Sequence, residues 1–175
     1  ELLVREAVRL ARPGAVVVDM CCGSGALGAA VAAAVPVELH AADIDPAAVA
    51  CARRNVPTAY EGDLFDALPD SLRGRIEVLL CNTPYVPTRE IGLLPAEARD
   101  HEPRLTLDGG GDGLDVQRRI AAAAREWLAP GGSLLCEISE RQARAAVAVF
   151  GAYDARIARD DDLGATVVVA VYRIQ

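Results

Sequence analysis

The chain contains no lysine: all 18 of its basic residues are arginine. With alanine also abundant, this reads as codon bias rather than selection for bidentate contacts. Aromatic residues are scarce, 4% against a hydrophobic fraction of 52%, so the core must be built from Ala, Val and Leu. No apolar run approaches the ~20 residues a membrane span requires. The longest, Ala15–Val18 and Val167–Val171, have strand length. No charged, apolar and small-residue succession marks a secretion signal. The cysteines Cys21, Cys22, Cys51, Cys81 and Cys136 are odd in number and include no C-x-x-C, which argues against a disulfide framework or a zinc site. They read as small buried hydrophobes in a reducing, cytoplasmic setting. Positive charge is also short. The net charge of −7 disfavours a nucleic-acid partner, whose phosphates would demand a basic patch. The 175 residues suit one domain with one core, and the chain begins at Glu1 rather than Met.

What is present alternates between strand and helix. Leu2–Arg12 has helical apolar spacing and ends at Pro13-Gly14. Ala15–Met20 is an apolar, Val-rich strand, followed by a glycine turn and a helix to Ala34. Val37–Asp43 is a second strand, and Asp45-Pro46 opens a helix to Arg54. Thr58–Glu61 and Ile76–Cys81 are strands three and four. After an irregular stretch, Asn82–Gly113, come a helix Asp115–Leu128 broken at Pro130-Gly131-Gly132, a strand Ser133–Ile138 and a helix Glu140–Phe150. The last two strands, Ala152–Ala158 and Thr166–Ile174, have no helix between them and are predicted to form an antiparallel hairpin. The expectation is an α/β fold: a doubly wound, mostly parallel seven-stranded sheet with a C-terminal antiparallel hairpin. Ligands in such sheets bind at the carboxyl ends of the strands, where the strand order reverses.

Two motifs fall there. The first, Asp19-Met20-Cys21-Cys22-Gly23-Ser24-Gly25-Ala26-Leu27-Gly28, joins strand one to helix one. Its glycines match G-x-G-x-x-G, and Asp43, at the end of strand two, is placed to bind ribose hydroxyls. A pyrophosphate would be repelled by the carboxylate of Asp19. S-adenosylmethionine, which has no phosphate but carries a sulfonium and an ammonium, would be attracted to it. Asp19 therefore favours S-adenosylmethionine over NAD. Asp63, after strand three, can accept from an adenine amino group, with Leu64 as an apolar wall. Ile44, beside Asp43, is counted with the same cofactor contacts.

The second motif is Asn82-Thr83-Pro84-Tyr85, directly after strand four. The nitrogen of a planar amide or aromatic amine is a poor nucleophile because its lone pair is delocalised. Two acceptors, Asn82 Oδ1 and the carbonyl of residue 83, can orient its N–H bonds and stabilise charge developing in the transition state. Tyr85 offers a flat face to the planar group. No metal is needed. The alternatives are that Asn82–Tyr85 is a plain turn, Asp63 a loop cap and Asp19 a structural carboxylate holding loop N–H groups.

Together the motifs resemble the N5-glutamine protein methyltransferases of the HemK/PrmC type, whose signature is N-P-P-Y. The likeness extends over nearly the whole chain. It includes Glu1–Val4, Tyr85-Val86-Pro87, Glu102–Gly110 with Asp112-Gly113-Leu114, and Pro130-Gly131-Gly132 with Glu137 and Gln142. The resemblance implies S-adenosylmethionine contacts from Cys21, Cys22, Gly23, Ser24, Gly25, Asp43, Asp63, Leu64 and Asn82. It implies glutamine contacts from Asn82, Thr83, Pro84 and Tyr85, and a protein substrate of the release-factor or ribosomal-protein type. Three departures stand out. Thr83 replaces the first proline, although Pro84 still biases residue 83 to extended geometry. Cys21 replaces a glycine. The helical domain that precedes the catalytic domain in typical members, and helps bind the substrate, is expected to be absent. That turns the expectation from release factor towards a related paralogue.

Other features carry less. Asp108–Asp115 lacks the alternating carboxylates of a calcium loop and reads as a glycine-rich lead into a helix. His40 and His101 read as structural or surface residues, Asp160-Asp161-Asp162 as a solvated turn and Trp127 as core. The rivals to a protein-glutamine methyltransferase are an N-methyltransferase acting on an RNA or DNA base, an NAD-dependent oxidoreductase and a non-catalytic S-adenosylmethionine-binding remnant. The oxidoreductase lacks any Tyr-x-x-x-Lys and leaves Asn82–Tyr85 unexplained.

Overall fold

A strand that is apolar along its whole length must be covered on both faces, and β1 (Val16–Met20) is buried at every position. The computed structural model describes residues 1–97 and 103–173. His101, Glu102 and Ile174, which carry expectations stated above, lie outside the described residues. The remaining strands are β2 (Glu38–Asp43), β3 (Ala59–Glu61), β4 (Ile76–Cys81), β5 (Leu128–Ile138), β6 (Asp154–Asp160) and β7 (Ala165–Val171). They form one seven-stranded sheet in the order β3-β2-β1-β4-β5-β7-β6. The strands from β3 to β5 are parallel neighbours, whereas β7 is antiparallel to both β5 and β6.

Helices α1 (Leu2–Leu10), α2 (Ala26–Ala34) and α3 (Pro46–Ala52) cover one face, packing Leu3, Val31 and Val49 on Val17, Leu80 and Val169. The other face holds Val16, Val18, Met20 and Leu79 under α5 (Asp115–Ala123) and α6 (Ala143–Val149), with Phe65 and Trp127 between them. Alternate residues of β1 thus enter opposite cores, as a pleated strand requires. A short helix, α4 (Arg104–Leu107), lies in the stretch expected to be irregular.

Several boundaries differ from the sequence expectation. The helix expected over Asp115–Leu128 stops at Ala123 and passes through one 3₁₀ turn, because Trp127 turns inward to stack on Phe65 at 5.6 Å. Pro130-Gly131-Gly132 does not lie outside the fifth strand. It is a bulge within β5, whose pairing with β4 shifts between Ile76 and Val78. Strand β6 begins at Asp154 rather than Ala152, since the buried Tyr153 donates its hydroxyl to Ala121 O at 2.7 Å before the strand starts. Asp160 is therefore the end of β6 rather than part of the turn, and its carboxylate accepts from Arg5 and from Leu163 N. Cys22, Cys81 and Cys136 are buried, but Cys21 is only partly so and Cys51 is exposed on α3. Among the described residues, no helix is long and apolar enough to cross a membrane.

Candidate functional site

The strand order reverses between β1 and β4. Met20 pairs with Ala42 on one side and Cys81 on the other. The residues that follow, Cys21, Asp43 and Asn82, consequently leave three adjacent strand ends around one crevice. The Cys21–Gly25 turn is shaped from below. Cys22 N donates to Ala42 O at 3.1 Å, and Gly23 N to Asp43 Oδ2 at 2.8 Å. Gly23 and Gly25 have φ of 54° and 76°, and Gly25 is the N-cap of α2. Cys21, standing where a glycine is common, shares the left-handed region at φ 56°. A side chain there costs about 1–2 kcal/mol. Burial, reinforced by the charge of Asp43, raises the Cys21 thiol pKa and so favours the protonated thiol.

Asp19 is wholly buried beneath this turn. Its Oδ2 accepts from Gly28 N at 2.8 Å, and a Cβ on Gly28 would lie 3.1 Å from the same oxygen, so the third glycine lets α2 approach β1. Asp19 Oδ1 is buried and has no hydrogen-bond partner among the described residues. Burial, with a smaller contribution from the charge of Asp43, pushes this carboxyl up to about 7, against the opposing Gly28 N–H. Asp43 also accepts from Asp45 N through its other oxygen, at 3.0 Å. Asp43 at its strand end and Asp19 beneath the turn are the acidic groups on this side of the crevice, and Asp19 is partly protonated near neutral pH.

At the outer end, Gly62 N donates to Asp43 O at 3.0 Å, tying β3's exit to β2. Leu64, at φ 51°, packs on the core, whereas Ile44 is 48% exposed beside Asp43. Asp63 makes no side-chain cap bond. It takes Arg119 of α5 at 2.7 Å, a partner that sequence reading did not anticipate. The signal was weak, since Arg119 is one of two adjacent arginines on α5 with nothing to mark which would face Asp63.

The Asn82–Tyr85 segment starts immediately beyond β4. Asn82 is exposed, Thr83 buried, and Pro84 and Tyr85 half-buried. Among the described residues, Thr83 Oγ1 has no partner. The glycine-rich stretch leads into α5, as expected, and also supports this segment. Val86 bridges Asp108; Val86 N donates to Leu107 O, Gly109 N to Val86 O and Thr88 N to Gly110 O. A Cβ on Gly109 would come within 2.8 Å of Pro84 O, and one on Gly113 would overlap Tyr85 O. Gln142, after β5, completes the support, its Nε2 donating to Tyr85 O at 2.8 Å and to Asp112 O at 2.9 Å. Arg118 binds both Asp112 and Asp115, and holds the Asp112 carboxyl down at about 2. His40 lies apart from the crevice, with ring nitrogens 3.2 Å from Tyr60 OH and 3.1 Å from Glu38.

The likenesses to known proteins agree with this arrangement. The chain is 40% identical over 157 residues to the "Release factor glutamine methyltransferase" of Geobacter sulfurreducens, covering 86% of this chain and 54% of that protein. It is 43% identical over 133 residues to the "Ribosomal protein uL3 glutamine methyltransferase" of Bordetella pertussis, covering 71% and 43%. The chain thus spans about half the length of the curated relatives it matches. The crystal structure of a protein-(glutamine-N5) methyltransferase (release factor-specific) from Alicyclobacillus acidocaldarius shares the fold at a TM-score of 0.60 and 23% identity, over 99% of this chain and 91% of that one. A family profile described as "Methyltransferase small domain" matches residues 1–97, from α1 through the glycine turn and the Asn82–Tyr85 segment, and the chain belongs to that family.

Proposed function

We propose that residues 1–175 are the catalytic domain of a protein methyltransferase that uses S-adenosylmethionine to methylate the side-chain amide nitrogen of a glutamine. The observation that carries this reading is the exit of Asn82 beside the Cys21–Gly25 turn, at the reversal of strand order. The names of the relatives at 40% and 43% identity support the same chemistry. The residues present fit the cofactor. A buried carboxylate with one unpaired oxygen and a second carboxylate at the next strand end suit a cationic ligand and oppose a pyrophosphate.

S-adenosylmethionine supplies a methyl group made electrophilic by its sulfonium. The protein does the rest. Asp19 and Asp43 hold the turn and favour a cation above it. Ile44 and Leu64 offer apolar walls to a base, and Asp63 accepts from its amino group in place of, or alongside, Arg119. Asn82 Oδ1 and the Thr83 carbonyl accept the two amide N–H bonds. This aims the nitrogen lone pair and stabilises the positive charge that grows on nitrogen as the N–C bond forms. One proton then leaves the nitrogen to solvent. An open groove of about 580 Å³, lined by Thr88, Arg104, Leu105, Asp108, Val116 and Arg119 among others, leaves room for polypeptide flanking the target glutamine. A translation-apparatus acceptor accords with a cytoplasmic location.

Methyl-labelled cofactor offered with release factors, ribosomal protein uL3 and total RNA of the same cell tests the reading. The label is expected on a glutamine of one of the proteins, located by peptide mass. Asn82→Ala is expected to lower kcat by about 10²–10³-fold, the scale of losing one preorganised hydrogen-bonding group, while calorimetry finds cofactor affinity retained. Label confined to RNA, or NAD bound in preference to S-adenosylmethionine, would overturn it.

A further inference from the structure

Gln142 sits 57 residues beyond Tyr85 in sequence, yet every polar atom of its side chain is committed beside the Asn82–Tyr85 segment. It is 8% exposed. Its Oε1 accepts from Ser139 N at 3.0 Å and from Ser139 Oγ at 2.9 Å, closing the N-terminus of the turn that leads into α6. Its Nε2 points the opposite way and joins two loops, donating to Tyr85 O of the Asn82–Tyr85 segment and to Asp112 O of the glycine-rich stretch, which the bond from Thr88 Oγ1 to Asp108 Oδ1 ties together further along at 2.6 Å. Gly113 carries no side chain at the one place where a Cβ would overlap both Tyr85 O and Gln142 Nε2. The helix cap alone needs only an acceptor, and glutamate serves there as well as glutamine. The amide's two donors do something else.

We propose that Gln142 is a positioning residue, whose Nε2 clamps the Tyr85 and Asp112 carbonyls together and so fixes the orientation of the Asn82–Tyr85 acceptors. The carbonyl of Tyr85 is drawn into the body of the protein, and Pro84 O lies against Gly109. The peptide planes after residue 83 are thereby set, and with them the direction in which the Thr83 carbonyl faces. The departure at Thr83, which gives up a proline ring's rigidity, makes this external restraint more important. The catalytic consequence rests on the function proposed above; the clamp itself does not.

Gln142→Glu keeps the acceptor for Ser139 and loses the two donations. Gln142→Met loses both and buries no charge, so it remains informative if the glutamate variant fails to fold. Under the proposal both variants lose about 100-fold in kcat, the cost of a misplacement near 1 Å. Cofactor affinity by calorimetry stays within twofold, and KM for the cofactor follows it. A helix cap alone would leave Gln142→Glu with wild-type kcat and impair only Gln142→Met, which would overturn the proposal. Amide hydrogen exchange needs no acceptor protein. Val86, Thr88 and Gly109 N–H, which hold the two loops together, are expected to exchange at least tenfold faster in both variants, and wild-type rates would overturn the clamp. Faster exchange in the variants, with no transfer by the wild type to any acceptor offered, would overturn the functional reading and leave the clamp standing.

Discussion

Asp19 carries two competing demands in one side chain. Its Oδ2 is spent on Gly28 N, while its Oδ1 is buried without a partner, a position that penalises the ionised form. Its folded-state value, raised to about 7, lies above its usual 3.8. Folding therefore favours the protonated group. Its contribution is fully present below pH 3.8 and is lost as the pH rises through about 7. Asp19→Asn should accordingly gain stability relative to wild type as pH rises across that window and hold a constant lead above it. Urea unfolding at a series of pH values measures this, and a pH-independent difference would contradict it. Thr83 poses the simpler case. Its hydroxyl is buried and unbonded, so Thr83→Val removes an unsatisfied group without changing shape. The variant is expected to be more stable by about 1 kcal/mol, the low end of the penalty for such a group, with kcat little changed because the carbonyl survives. A lower urea midpoint would show that the hydroxyl has a partner in solution.

Elements here act in pairs that the chain order conceals. The segment 84–88 forms no strand of the sheet, yet it is bridged to 107–110 and covered by 112–113. Gly113 has φ 81° in addition to its lack of space. Gly113→Ala must displace Tyr85 O or Gln142, and overpacking joined to a left-handed φ is expected to cost about 3 kcal/mol. The variant should lose transfer more than cofactor affinity, because the Cys21–Gly25 turn is anchored separately by Ala42 and Asp43. Equal loss of both, measured by calorimetry and labelled transfer, would show the two halves of the crevice to be one unit. The placement of the glycine turn and of the Asn82–Tyr85 tetrapeptide at strand ends was legible in the sequence because each is contiguous and follows an apolar strand. The support was not: Gly109, Gly113 and Gln142 lack any local periodicity that would mark them as partners of Tyr85.

On the scale of the molecule, charge and topology set what the crevice can receive. The net charge of −7, with the carboxylate of Asp43 at the crevice, opposes a polyanion. Total RNA added in excess is expected to leave methyl transfer to a protein acceptor unchanged at ~0.15 M salt, where screening acts over about 8 Å. Inhibition that weakens steeply with salt would instead reveal a phosphate-binding surface. Composition, apolar runs and glycine placement determined the layered α/β architecture, the parallel core strands and the two motifs at strand ends, because burial and backbone conformation act over a few neighbouring residues. They did not determine that β7 rather than β6 would join β5. That order places the continuously apolar Val167–Ala170 inside the sheet and leaves the charged Asp154–Asp160 at its edge. Nor did they show that Arg119 would meet Asp63, or that Gln142 would hold Tyr85. Those contacts join residues 56 and 57 positions apart, and only closure of the whole sheet brings such distant groups within hydrogen-bond reach.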